Sequence, residues 1–261
     1  MRENFGDGKI KLKWLGQMGF LIMTQDTTVC VDYFASPIEG RLKKPPIPAD
    51  ELKGIDVFIG THDHIDHIDH DAWKIWSGTC PDAKFIFPKM HLETILNDGI
   101  KEDNAIGLND GDSYKIGDVT IHAIAASHEF LDRDAKTGLY PCLQYIIEAN
   151  GVRIHHAGDT VRYEGMLPKL KSFGDIDIMI LPINGRDAKR YRMGYIGNMT
   201  YQEAVDLAGE AGPLVVIPGH FDMFAENSAD PEEFADYLDA KYGRKVRCII
   251  PKTLEDIVLP G

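Results

Sequence analysis

Thr61-His62-Asp63-His64-Ile65-Asp66-His67 places three histidines and two aspartates in seven positions. Just before it, Ile55-Asp56-Val57-Phe58-Ile59-Gly60 is a short apolar run with β-branched residues and a glycine stop, which predicts a buried strand ending in a loop. The polar cluster therefore sits at a strand's carboxyl end. Neutral imidazole and ionised carboxylate suit a borderline divalent cation, so H-x-H-x-D-H reads as a metal site built from one turn. His62 and His64, two positions apart, can point the same way from extended backbone, whereas Asp66 and His67 lie past the bend and can face a second ion. A plain solvated loop is the bland reading; so dense a histidine cluster at ligand spacing argues against it.

Working outward, the composition bounds the class. The 261 residues are enough for one large α/β domain, and a single domain over 1–261 is expected. A hydrophobic share of 44% and a charged share of 26% are those of a soluble globular chain, and no window approaches the roughly 20 apolar residues of a membrane span. Met1-Arg2-Glu3-Asn4-Phe5-Gly6-Asp7 has no apolar signal core, so a cytoplasmic protein is expected. Cys30, Cys80, Cys142 and Cys248 are scattered without C-x-x-C spacing and suit reduced thiols that hold no metal. The formal net charge of -13 disfavours nucleic acid and anionic membrane surfaces as partners.

Along the chain, residues 9–34 alternate around glycines and predict an antiparallel meander, closed by Asp32. That carboxylate is either a loop cap or a group that orients a ligand histidine. Helices are expected over Asp71–Ser77, Met90–Asn97, Tyr163–Ser172, from Thr200 to an end near Gly209 to Gly212, and over Pro231–Tyr242. Strands are expected over Lys84–Phe87, 113–126 as a hairpin, 141–149 with 152–157 as another, Ile176–Leu181, Leu214–Ile217 and Val246–Ile250. His128, Asp159 and His220 each follow one of these strands and join the ligand candidates, although His128 alone would read as a surface residue. After the strand ending at Pro182, the run Asn184 to Arg192 carries Arg186, Lys189, Arg190 and Arg192 in an otherwise acidic chain. With Asn184 these could receive a phosphate or carboxylate of a small anionic substrate; a solvated loop or a contact in a homo-oligomer is the alternative.

The ordered set His62, His64, Asp66, His67, His128, Asp159 and His220 resembles the ligand pattern of metallo-β-lactamase superfamily hydrolases. Trp14-Leu15-Gly16, Cys30-Val31-Asp32, the Thr61 to Asp69 run, Gly158-Asp159 and Val216-Ile217-Pro218 are similar to the L-ascorbate-6-phosphate lactonase-like branch, over most of the chain. The resemblance implies an α/β fold, a four-layer αββα sandwich of pseudo-duplicated topology with metals at one edge. It also implies His62, His64 and His128 on one cation, Asp66, His67 and His220 on the other, and Asp159 between them. Ala126-Ser127-His128-Glu129-Phe130 departs from the ascorbate-phosphate lactonase pattern in keeping a histidine, and the chain is shorter, which leaves the substrate open.

The chemistry so implied is metal-assisted hydrolysis of a lactone or related ester, with two divalent ions (manganese or zinc, iron also compatible) activating a water that Asp66 orients or deprotonates. Two rivals use the same scaffold: a phosphodiesterase or nuclease, opposed by the acidic charge, and a non-catalytic metal-binding member, opposed by the complete ligand set. An oxygen-reducing diiron role is disfavoured by His64, which stands where that branch carries glutamate.

Overall fold

The computed structural model describes residues 10–259. The first half of the chain supplies β1 (Ile10–Gly16), β2 (Gly19–Met23), β3 (Thr28–Val31), β4 (Val57–Ile59), β5 (Lys84–Pro88) and β6 (Ala105–Leu108). The second half supplies β7 (Ser113–Ile116), β8 (Val119–Ala125), β9 (Leu143–Ala149), β10 (Val152–His156), β11 (Ile178–Pro182), β12 (Val215–Gly219) and β13 (Arg247–Cys248); β14 (Asp256–Leu259) then returns to the first sheet. Two seven-stranded sheets result, ordered β14-β1-β2-β3-β4-β5-β6 and β13-β12-β11-β10-β9-β8-β7. Each begins as an antiparallel meander and continues through three parallel pairings, which is the expected duplicated topology.

Period-two alternation decides which face of the first sheet meets what. Phe20, Ile22, Val29, Val31, Val57 and Ile59 join Ile121, Tyr145 and Ile147 of the second sheet in one buried cluster. The intervening Leu21, Cys30, Phe58 and Phe85 face outward onto Trp73 and Trp76 of α1 (His70–Thr79) and Ile95 of α2 (Leu92–Asn97). The second sheet is covered by α3 (Met166–Lys171), α5 (Tyr201–Ala211) and α6 (Pro231–Tyr242), through Leu170, Val205, Leu207, Phe234 and Leu238. The order is therefore α, β, β, α, with α4 (Ala188–Arg192) lying in the loop after β11. Among the described residues no helix is long and apolar enough to cross a membrane.

Several element boundaries differ from the sequence reading. The predicted helix at Met90 is a 3-10 turn over Lys89–His91 running into α2, the one at Tyr163 starts at Met166, and the last parallel strand is only two residues long. Strands β6 and β14 were not anticipated. Both are edge strands fixed by pairing outside their own segment, β14 with β1 across the length of the chain as in Leu12↔Ile257 and β6 with the preceding strand as in Phe85↔Ala105, which no local pattern reveals. The run at 184–192 is not a loop throughout, because the Asp187 side chain accepts from the Lys189 and Arg190 amides and starts the short helix α4.

Candidate metal centre

Every residue of the expected ligand set leaves a strand at the same edge of the sandwich. Asp32 follows β3, the histidine cluster follows β4, His128 follows β8, Asp159 follows β10 and His220 follows β12. Hydrogen bonds between the sheets tie this edge together: Leu143 N donates to Thr61 O at 2.9 Å, His220 N to Gln17 O at 3.1 Å, and His156 Nε2 to Met18 O at 2.8 Å. Gln17, Asp32 and His220 hold positive φ of 55°, 45° and 60°, a conformation that non-glycine residues adopt at a cost and that marks sites where surrounding contacts enforce it.

The side chains converge in two groups. His62 Nε2 lies 2.9 Å and His128 Nε2 3.3 Å from His64 Nδ1, so three imidazole nitrogens meet at one point. In the other group, His67 Nε2 is 3.6 Å and His220 Nε2 3.8 Å from Asp66 Oδ2. Asp159 reaches both: its Oδ1 is 3.3 Å from His67 Nε2, and its Oδ2 is 3.2 Å from His220 Nε2 and 3.7 Å from His128 Nε2. Ligand atoms roughly 2.1 Å from a tetrahedral ion stand about 3.4 Å apart, which is the spacing seen here. His67 Nε2 and Asp159 Oδ1 are moreover buried and without a hydrogen-bond partner although they face each other. Two such atoms are explained by a cation between them. The donor set, imidazole nitrogen with carboxylate oxygen, fits zinc, manganese or iron alike.

The neighbours prepare these groups for that role. Asp32, fully buried, accepts from Thr61 N at 2.8 Å and Thr61 Oγ1 at 2.7 Å, and its Oδ2 accepts from His67 Nδ1 at 2.7 Å, which leaves the His67 Nε2 lone pair for a ligand role. His128 Nδ1 donates to Gly197 O at 3.2 Å, which likewise turns its Nε2 inward, and Glu129 Oε1 secures Gly197 by accepting from its N at 3.1 Å. Gly158 has φ +56° and a Cβ there would come within 2.7 Å of the Thr61 side chain, so only glycine lets the Asp159 loop approach the cluster.

The titration behaviour follows. Burial, and then the imidazoles of His67 and His128, hold His62 well below the ordinary histidine range; burial also lowers His128. Burial opposes charge on Asp159 and Asp66, yet their histidine neighbours outweigh it and keep both carboxylates ionised. For His67 burial disfavours the proton, but Asp159, Asp32 and Asp66 together raise it well above the usual value. The site is thus one that demands positive charge among its carboxylates, which a divalent ion supplies without a proton.

Asp32 is therefore placed as the group that orients His67, and the seven expected ligand residues are brought together. The expected anion receptor is not. Arg186 pairs in a fork with Glu203 at 2.6 and 2.7 Å, Arg190 is held by Asp187 and by Ser228 O, and Asn184 is buried against Asn198 and Asn227. Lys189 and Arg192 lie exposed on α4, and none of the five lines the cleft above the metal groups. The carboxylates at 187 and 203 pair with two of the four cations of the run that stood out as basic, Arg190 and Arg186. Conversely, Gln17 was missed: its fully buried side chain donates to Asp66 Oδ2 at 3.0 Å and lies 3.1–3.2 Å from both ring nitrogens of His220. Only the tight β1–β2 turn at Gly16-Gln17-Met18-Gly19 hinted at a special position.

Comparison with known proteins agrees with this geometry. The β-lactamase superfamily domain matches residues 27–221. A metal-dependent hydrolase of Pyrococcus furiosus is 30% identical over 96% of this chain and 100% of its own, and a probable L-ascorbate-6-phosphate lactonase of Escherichia fergusonii is 25% identical over 93% and 78%. Among solved structures, the metallo hydrolase Igni18 of Ignicoccus hospitalis superposes with a TM-score of 0.75 at 22% identity, covering 97% of this chain and 99% of its own. With its αββα layers and its histidine and aspartate groups at the strand ends, the chain belongs to the β-lactamase superfamily, among the metal-dependent hydrolases of the metallo-β-lactamase type.

Proposed function

We propose that the protein is a two-metal hydrolase that opens a lactone or a related carboxylic ester. The observation that carries this is Asp159, whose two oxygens reach the histidines of both ligand groups, so that one carboxylate links two cation positions. His62, His64 and His128 would hold one ion, and Asp66, His67 and His220 the other. Two divalent ions held there would supply Lewis acidity, lowering the pKa of a water toward neutrality and polarising an ester carbonyl. Asp66, ionised and fixed by the Gln17 amide, is placed to orient that water and take its proton. His64 and His128 line the floor of a cleft of about 400 Å³ in which the ester sits. Neither Cys30 nor Cys142 is suited to act as nucleophile, since burial pushes the Cys142 thiol up to about 12 and raises that of Cys30 well above its ordinary value.

Lactone chemistry draws support from the Escherichia fergusonii relative, which is a likeness of 25% and carries its phosphorylated substrate no further than that protein. The reading is tested by metal analysis of zinc-loaded and manganese-loaded protein, together with assays on lactones, simple esters and phosphodiesters. Two ions per chain and turnover of lactones or esters are expected. A stoichiometry of one at saturation, or turnover confined to phosphodiesters, would reject it.

A further inference from the structure

The cleft over the metal groups has walls of a particular kind. Ile65, Ile196 and Ile38 line it while remaining 51%, 42% and 40% exposed, and the half-buried Phe224 closes one side. Three large aliphatic side chains left in water around a catalytic floor are costly unless a ligand covers them. The charged residues at the mouth are Glu39 and Glu226, both acidic. Among the described residues no lysine or arginine lines the cleft. On neighbouring segments Arg41 donates to the Ser36 and Lys43 carbonyls, Lys43 pairs with Asp222, Arg186 with Glu203 and Arg190 with Asp187, while the exposed Lys189 and Arg192 of α4 stand outside the lining.

The charge balance decides what the cleft accepts. Asp66 and Asp159 would cancel half the formal charge of two divalent ions, and the exposed Glu39 and Glu226 add two further negative charges where an anion would approach. With the reacting carbonyl over the ligand groups, a phosphate or carboxylate elsewhere on the substrate would meet aliphatic walls and carboxylates instead of a guanidinium. From this juxtaposition of exposed isoleucines with mouth carboxylates we infer that the substrate is an uncharged lactone or ester bearing an apolar substituent, and that phosphorylated or carboxylated analogues are rejected. The inference rests on the two-metal cleft proposed above, but it concerns walls that act on binding whether or not turnover follows.

The test uses a matched pair: a γ-lactone with a butyl side chain, and the same ring whose chain ends in phosphate. The corresponding cyclic ketones report binding by calorimetry without reaction. In metal-loaded protein the butyl ketone should bind at least ten-fold tighter than its phosphorylated partner, and kcat/KM for the lactones should follow the same order. Ile65→Ser with Ile196→Ser should weaken the butyl ligand by roughly three- to ten-fold per side chain with metal content unchanged. Glu39→Lys with Glu226→Lys should narrow or invert the preference. Equal or tighter binding of the phosphorylated ketone, or binding of neither, would overturn the inference. Selective binding of the butyl ketone without turnover of either lactone would leave the selectivity standing and reject the lactone chemistry.

Discussion

Replacing Asp32 with asparagine tests how far the metal centre depends on a residue that is not itself a ligand. The wild-type carboxylate accepts three hydrogen bonds, from Thr61 N, Thr61 Oγ1 and His67 Nδ1, all at 2.7–2.8 Å and all buried. Asparagine keeps the shape but has one acceptor oxygen. With that oxygen on the Thr61 amide, its NH2 group faces the hydroxyl and the imidazole. The hydroxyl can rotate to accept, whereas His67 can accept at Nδ1 only by carrying its proton on Nε2, the nitrogen turned toward Asp159. Loss of such a partner typically lowers metal affinity ~10- to 100-fold, or about 1.4–2.8 kcal/mol. The metal-free fold should lose on the order of 1–3 kcal/mol as well, since hydrogen bonds to a buried charge are exchanged for neutral ones. Competition with a chromophoric chelator measures the first quantity and chemical unfolding in excess chelator the second. If the variant bound both ions with wild-type affinity, Asp32 would be only a loop cap and the tautomer argument would fail.

Asp159→Ala should weaken both ions together and not one alone, because its oxygens face His67 and His220 of one group and His128 of the other; a variant that retained one ion at wild-type affinity would refute the bridge. Gln17→Ala frees Asp66 from its amide donor and should reduce affinity for the ion at Asp66 and His220 by about ten-fold while sparing the trio His62, His64 and His128, as read by stepwise metal titration. Arg186→Ala should cost roughly 1 kcal/mol or less of stability, its partly exposed pair with Glu203 being screened by solvent, and should change the Michaelis constants of charged and uncharged substrates equally. His155, buried and 2.6 Å from Gln144 Oε1, is held down to about 3 by burial and then by His156. The unfolded chain therefore binds a proton below about 6.5 that the folded chain refuses, so stability is full above that value and falls by about 1.4 kcal/mol per pH unit as pH drops toward 3. In urea unfolding of metal-free protein, His155→Gln should make this slope shallower by about one proton; an unchanged slope would show that His155 is protonated in the fold.

Much of the molecule was legible in its sequence because the deciding signals are local. Alternation in β1 to β3, the apolar run before Gly60 and the histidine spacing depend on residues within a few positions of one another, and backbone geometry converts such spacing directly into faces and directions. The seven ligand candidates could each be placed at a strand end for the same reason. What the sequence could not decide is which distant groups those strand ends bring together. Gln17 meets His220 across 203 positions, and the Gly197 carbonyl that orients His128 lies 69 positions away in a segment with no motif of its own. Edge strand β14 exists only because β1 offers it unpaired backbone. The basic run shows the opposite error: a concentration of charge along the chain is conspicuous, but whether a guanidinium is available to a ligand depends on the carboxylate folded against it. For Arg186 that carboxylate is Glu203, carried on α5, and Coulomb attraction at contact distance settled a question that composition had left open.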